Sequence, residues 1–377
     1  MRRTIRRLLV ICCIPIILTG CWDQRLLKEQ KLILLVGFDL NQKGEVTAST
    51  AYPIGKGGIG KSNSPATTKS TILTTKGKTA LESLLHADFR ISERIDISKT
   101  RVVLFGEQLA KKGIYPELDH IYRNPKGALG AKVAIIQGEA IDAVRINQEE
   151  ADLNGQYYDE FLKSGEATGF YTNFNVQSVC PLLLKHTKDP LLPLIEVHKN
   201  SHRAHSVGMA LFNNEKMTGK LNITEAKMFM LLSGKKNQKV SLWVMTSDQQ
   251  KVNQENFAII EILHNRQKTK LKVNNDAVTA NISLKLQYRI SEYPKNHLTN
   301  SLLLQQLNKE IKKSLTKTAE RTIAKLQKAN CDGLGIEEEI KVHHTKLWEK
   351  KYKNVALKEI PIKTKLEFEL INSGIIN

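Results

Sequence analysis

Long apolar runs, cysteines and aromatic side chains are all scarce in this 377-residue chain. No apolar stretch approaches the roughly 20 residues that a membrane-spanning helix needs, so the chain has no candidate transmembrane helix. Only five cysteines occur, and Cys12 and Cys13 fall inside the first apolar stretch. Too few remain for a disulfide framework, and no metal-ligand spacing accompanies them. Aromatic residues make up 6% of the chain, a thin supply for the aromatic-lined cleft of a solute-binding protein. Acidic residues are outnumbered 57 to 38 by Lys and Arg, which gives a net charge of +19. That excess is spread without blocks of like charge, which excludes a basic tail. It suits either an anionic lipid surface or a plain lysine-rich solvated surface.

What is present starts at the N-terminus. Arg2, Arg3, Arg6 and Arg7 precede an apolar run over residues 8–18, and Leu18-Thr19-Gly20-Cys21 follows. A basic n-region, a short apolar h-region and small residues before a cleavage point make a secretory signal peptide, here residues 1–20. The cysteine immediately after Leu-Thr-Gly reads as a lipobox, with Cys21 as the N-palmitoyl and S-diacylglyceryl cysteine of the mature protein. Acyl burial contributes about 0.8 kcal/mol per CH₂, and two chains suffice for stable anchoring. The expected location is the outer face of a membrane, held by lipid alone.

The mature chain has 41% hydrophobic and 25% charged residues, a globular composition, and is long enough for two or three domains. Residues 32–38 and 133–137 are apolar runs of strand length, and residues 101–105 form another strand. Short helices are predicted over 79–85 and 107–112, and a longer one over 147–164 with a break near Gly155. Pro181, Pro190 and Pro193 mark an irregular passage, with the main domain boundary expected between 198 and 205. Beyond it come strands at 208–212, 240–246 and 257–264, and a helix over 224–232. Residues 278–290 alternate strictly between apolar and polar, the mark of a half-buried, antiparallel-type strand. Leu304, Leu307, Ile311, Leu315, Ala319, Ile323 and Leu326 line one face of a long helix over 299–328, with Gly333 placed to stop it. A final strand covers 362–370. This pattern reads as α+β, two to three domains with mainly antiparallel sheets, the last built around the long helix. The domains are 21–198 and 205–373, the second divisible near 236–256.

No chemistry survives inspection. Gly55-Lys56-Gly57-Gly58-Ile59-Gly60-Lys61-Ser62 fits the phosphate-loop pattern, but such a loop must open a helix, and Asn63-Ser64-Pro65 is a poor helix start. His343-His344 would point to opposite faces of a strand. His198, His202 and His205 would share a face only if helical, and no carboxylate or cysteine ligand was identified beside them. Cys180, before Pro181 and a leucine run, reads as a buried thiol unpaired with Cys331. No catalytic, metal or cofactor residue is assigned.

Several blocks together resemble the C-subunit lipoproteins of bacterial spore germinant receptors, the Ger(x)C family. They are Cys21-Trp22-Asp23; Leu35-Val36-Gly37-Phe38-Asp39; the glycine-rich loop near Gly55; Ile97-Ser98-Lys99-Thr100-Arg101; Glu107-Gln108-Leu109-Ala110 with Gly113; Gly208-Met209-Ala210-Leu211-Phe212; residues 216–221; Leu231-Leu232-Ser233-Gly234; Asp332-Gly333-Leu334-Gly335; Trp348; and Gly374. One departure is Gln24-Arg25-Leu26-Leu27, where that family commonly carries an acidic residue. The resemblance implies a non-enzymatic, lipid-anchored subunit at the spore inner membrane. It would work with A- and B-type polytopic membrane subunits to trigger germination by small nutrients, without nucleic acid or cofactor. The other readings are a solute-binding lipoprotein of a transporter and an exported nucleotide-binding enzyme.

Overall fold

The computed structural model describes residues 29–55, 68–146, 153–185, 187–198, 203–234, 240–246, 254–295, 298 and 300–372. The first half runs β1 (Gln30–Leu32), β2 (Leu35–Leu40), β3 (Val46–Gly55), β4 (Thr68–Gly77), α1 (Ala80–Asp88), β5 (Arg94–Asp96) and β6 (Val102–Gly106). It continues with α2 (Glu107–Lys112), α3 (Tyr115–Arg123), β7 (Lys132–Ile136), α4 (Ala140–Val144), α5 (Asn154–Ala167), α6 (Val176–Leu184) and β8 (Leu191–His198). The second half holds β9 (Arg203–Asn213), β10 (Lys216–Asn222), α7 (Ile223–Leu232), β11 (Val240–Met245), β12 (Phe257–Asn274) and β13 (Ala277–Glu292). It ends with α8 (Ser301–Lys328), α9 (Ile336–His343), α10 (Thr345–Lys350) and β14 (Ile362–Asn372).

One eight-stranded sheet has the order β10-β9-β8-β7-β6-β2-β3-β4. Its four middle strands are parallel and its two ends are antiparallel hairpins. Successive residues of the middle strands feed different cores. Leu35, Val102 and Leu104 face α4 and α5, while Val36, Val103 and Phe105 face α1, α2, α3 and α6. Both faces are covered, so these strands read as unbroken apolar runs instead of alternating.

The sheet passes through the expected 198–205 boundary. His198 ends β8, Arg203 opens β9, and the two are ladder partners in one antiparallel pair. The proline-rich passage is also more regular than expected. Pro181 sits inside α6 and Pro193 inside β8; Asn175 starts α6 with a reciprocal capping box to Ser178, and Val176, Val179, Cys180 and Leu183 are buried in the core, so cap and burial together hold a helix that contains a proline. Residues 147–152 of the predicted helix lie outside the described residues; the rest is observed as α5, with Gly155 in its first turn, where its bare Cα lies against Leu34.

A second sheet, β11-β12-β13-β14, carries α8 on one face. β12 runs to Asn274, well past the expected end at 264, and pairs with β13 through a tight turn at Asn275 and Asp276, both at positive φ. β14 departs from the antiparallel pattern: it lies parallel to β13, because a crossover through α8, α9 and α10 joins them. At 1.5 Å per residue α8 is about 42 Å long. It ends at Lys328, and the chain turns at Asn330 (φ 50°), before Gly333; the Asn330 side chain accepts the Leu357 amide at 2.7 Å.

α7 joins the two sheets. Ala226, Phe229 and Met230 enter the core under the large sheet, and Met228, Leu231 and Leu232 enter the core under α8. A helix apolar on nearly every side has to be enclosed on nearly every side. Its Lys227 is buried too: Nζ donates to the Ser241 carbonyl at 2.7 Å and lies 4.3 Å from the Trp243 ring centroid. Burial lowers that ammonium to a pKa of about 8.

Candidate functional site

Cys21, Trp22 and Asp23 lie outside the described residues, as does most of the phosphate-loop-like segment. Its first residue, Gly55, ends β3, and its ladder partner Thr68 opens β4. A phosphate loop delivers the chain to a helix N-terminus; this one connects two strands of a hairpin. Cys180 and Cys331 are free and buried, in cores on opposite faces of the large sheet. Burial pushes the Cys180 thiol up to about 12 and raises Cys331 well above its ordinary value, so neither is a reactive thiol. His343 is the last residue of α9 and not part of a strand; its Nε2 lies 3.2 Å from Glu339 Oε2, one turn back.

Two polar knots hold the described structure together, and both lie where chain segments distant in sequence meet. Asp39, at the inner end of β2, accepts the amides of Ala140 at 2.7 Å and Ile141 at 2.9 Å, fixing the start of α4. A Cβ on Gly106 would stand 2.1 Å from Asp39 Oδ1, so only glycine leaves room for the carboxylate. Burial pushes Asp39 up to about 6. The second knot joins Asp189 and Asp332. Asp189 accepts the amides of Asn214 and of Asp332, each at 2.7 Å. Asp332 in turn accepts those of Ile336 at 2.9 Å and Glu337 at 2.6 Å, capping α9. Gly333 next to it admits the Leu191 side chain, which would come within 2.1 Å of a Cβ there.

These knots explain two of the glycine–aspartate blocks. Leu35-Val36-Gly37-Phe38-Asp39 and Val102-Val103-Leu104-Phe105-Gly106 are adjacent strands whose ends interlock. Asp332-Gly333-Leu334-Gly335 ties the end of the long helix to the large sheet. Asp39, Asp189 and Asp332 all hold backbone amides. A groove of 1260 Å³ borders the second knot, and Asp189 and Glu337 line it together with Lys185, Asn214, Lys341 and Trp348.

The sequence model described as "Spore germination protein N-terminal domain" matches residues 23–197, and that described as "Spore germination B3/ GerAC like, C-terminal" matches residues 207–374. The chain belongs to this spore germination family. Spore germination protein GerQC of Bacillus cereus is 22% identical over 94% of this chain and 96% of its own length. Spore germination protein KC of Bacillus subtilis (strain 168) is 22% identical over 96% of this chain and 94% of its own. The crystal structure of the GerBC protein matches with a TM-score of 0.58 at 15% identity, covering 89% of this chain and 97% of that one. At that identity the GerAC-like fold, α+β with antiparallel pairing predominant, is what the two share.

Two exposed features of this GerAC-like chain were not legible as sites in its sequence. On α1, Leu81 and Leu85 are 47% and 51% exposed, and Phe89 just after it is 84% exposed. Leu81 and Leu85 with Ile95 and Ile97 border a 470 Å³ hollow, and Ile95 and Ile97 also border a second hollow with Gln30. β1 is the first described strand and pairs with β5, so this face lies where the chain enters the fold. The second feature gathers two of the three spaced histidines. His198 and His205 meet across β8 and β9 and are joined by Glu196; His202 lies outside the described residues. The available signal was Glu-x-His on a strand, where residues two apart share a face; a helical reading of the spacing hid it.

Proposed function

We propose that this protein is the non-enzymatic lipoprotein subunit of a spore nutrient-germinant receptor, anchored through Cys21 to the outer face of the spore inner membrane. There it acts with A- and B-type membrane subunits to trigger germination. The observation that carries this reading is the pair of family matches, which together account for residues 23–197 and 207–374 and begin two residues after the lipobox cysteine.

The anchor also orients the molecule. Cys21 precedes Gln30 by nine residues, at most about 30 Å of extended chain, so the face bearing β1, β5 and α1 is held near the bilayer. Leu81, Leu85 and Phe89 supply apolar side chains, and Arg90, Arg94, Arg123 and Lys126 lie on neighbouring segments, a combination suited to an anionic lipid interface.

Fractionation of cells producing the Cys21→Ala protein tests the anchor. The expected result is a folded protein released from the membrane fraction. A Cys21→Ala protein that stays fully membrane-bound would show that something other than the lipid holds it. Co-purification of the native protein with two polytopic membrane proteins tests the assembly, and recovery without them would contradict it.

A further inference from the structure

The Glu196, His198 and His205 side chains converge where β8 and β9 pair, with the geometry of a metal-ligand set. Glu196 and His198 leave β8 on the same face, and His205 stands directly across the ladder from Glu196. His205 Nε2 lies 3.1 Å from His198 Nε2 and 3.2 Å from Glu196 Oε2, and the ligand atoms of all three fall within 4.8 Å of one another. A tetrahedral cation with bonds of about 2.0–2.1 Å spaces its ligand atoms about 3.3 Å apart. His205 is already near that spacing from both of the others.

The chemistry points the same way. Two imidazole nitrogens this close cannot both present lone pairs to each other; one proton between them, or a cation that takes both lone pairs, resolves the contact. The rings are nearly parallel, 13° apart, so they would tilt toward a shared ion. Side-chain exposures of 40% for His205 and 36% for Glu196 leave room for that movement and for water to complete the coordination. Glu196 is also held from behind. Gln137 donates to its Oε1 at 3.4 Å, and Lys220 donates to Gln137 at 3.2 Å, which leaves Oε2 directed at the histidines. Partners of this kind orient a metal-ligating carboxylate.

We propose that Glu196, His198 and His205 bind one divalent transition-metal ion, of the zinc class that imidazole and carboxylate together select. The ion would clip β8 to β9 at the junction between the two family-matched regions.

The test uses tag-free, chelator-stripped protein titrated with zinc by calorimetry, with melting temperature followed in parallel. One zinc per chain with micromolar affinity is expected, together with a zinc-dependent rise in melting temperature. His205→Ala and Glu196→Gln should each weaken binding by about tenfold or more and abolish the rise, without lowering the metal-free melting temperature. His343→Ala, which alters the other His–Glu pair, should bind as the unaltered protein does. Absence of saturable micromolar binding would overturn the proposal and leave a hydrogen-bonded histidine pair only. Binding that persists unchanged in both His205→Ala and Glu196→Gln would overturn it equally, by placing the metal elsewhere.

Discussion

The Asp189 carboxylate accepts the Asp332 amide at 2.7 Å, across 143 residues of chain. With Leu191 packed against Gly333, this contact seats the end of the long helix against the eight-stranded sheet. Asp332 is buried and Glu337 half-buried beside it, so an acidic cluster lies at the point where the two halves of the chain are joined.

That cluster makes stability depend on pH in a definite direction. Burial raises Asp332 from 3.8 to about 7 and Glu337 from 4.5 to about 8, the latter also through Asp332 and Asp189. The folded state therefore holds protons that the unfolded chain releases, and stability falls wherever the folded state binds more protons. Their contribution is complete below about pH 4 and is lost as pH rises through about 7 and 8. Melting temperature should decline from about pH 4.5 to about pH 8 and level off above it. Glu337→Gln, which keeps the side chain neutral, should flatten the upper part of that decline, and an unchanged slope would refute the assignment.

Gly208 should be irreplaceable. Its φ is 147°, and a Cβ there would lie 1.8 Å from the Leu221 carbonyl oxygen, a backbone atom that no rotamer change can move. Backbone strain and overpacking together put the cost of Gly208→Ala at about 2–4 kcal/mol. Gly130→Ala, which meets nothing within 4 Å, should fall within about 0.5 kcal/mol of the unaltered protein. Urea unfolding of the two variants side by side decides it.

The core under α8 is equally exposed to test. Leu315 is 2% accessible, among Ile311, Ala319 and the inner face of β13. Leu315→Ala should cost about 2–5 kcal/mol. Leu315→Asp should cost more, since it buries a carboxylate with no partner. Neither change touches the knot at Asp332, so the pH slope should survive in Leu315→Ala.

The apolar face on α1 carries a separate expectation. Leu85→Glu combined with Phe89→Glu changes only exposed side chains, so melting temperature should move little. Co-sedimentation of the lipid-free mature protein with phosphatidylglycerol vesicles should fall several-fold. Equal sedimentation of variant and unaltered protein would remove this face from the membrane side.

Much of the fold is legible residue by residue. Alternation over residues 278–290 marks β13, and the three- and four-residue spacing of Leu304, Leu307 and Ile311 marks α8, because each element keeps one face dry and one wet. β8 and α6 are less legible, since Pro181 and Pro193 break local rules that a capping box and the surrounding sheet override. β12 beyond 264 is missed for a different reason: one face carries Arg266, Lys268, Lys270 and Lys272, and the other is mostly polar (Asn265, Gln267, Thr269) before Leu271 and Val273, which gives little apolar contrast.

Periodicity, turn chemistry and the order of short motifs in the sequence determined an α+β protein with the marks of one spore germination family, and led to the expectation of export and of a lipid-modified Cys21. These signals are local, and neighbouring residues suffice to carry them. Only the tertiary structure decided that the large sheet crosses the 198–205 junction and that β14 lies parallel to β13. It alone joined Asp189 to Asp332 and Glu196 to His205. Strand order and side-chain convergence depend on which distant segments bury each other's surfaces, and that is a property of the packed chain and not of any window along it.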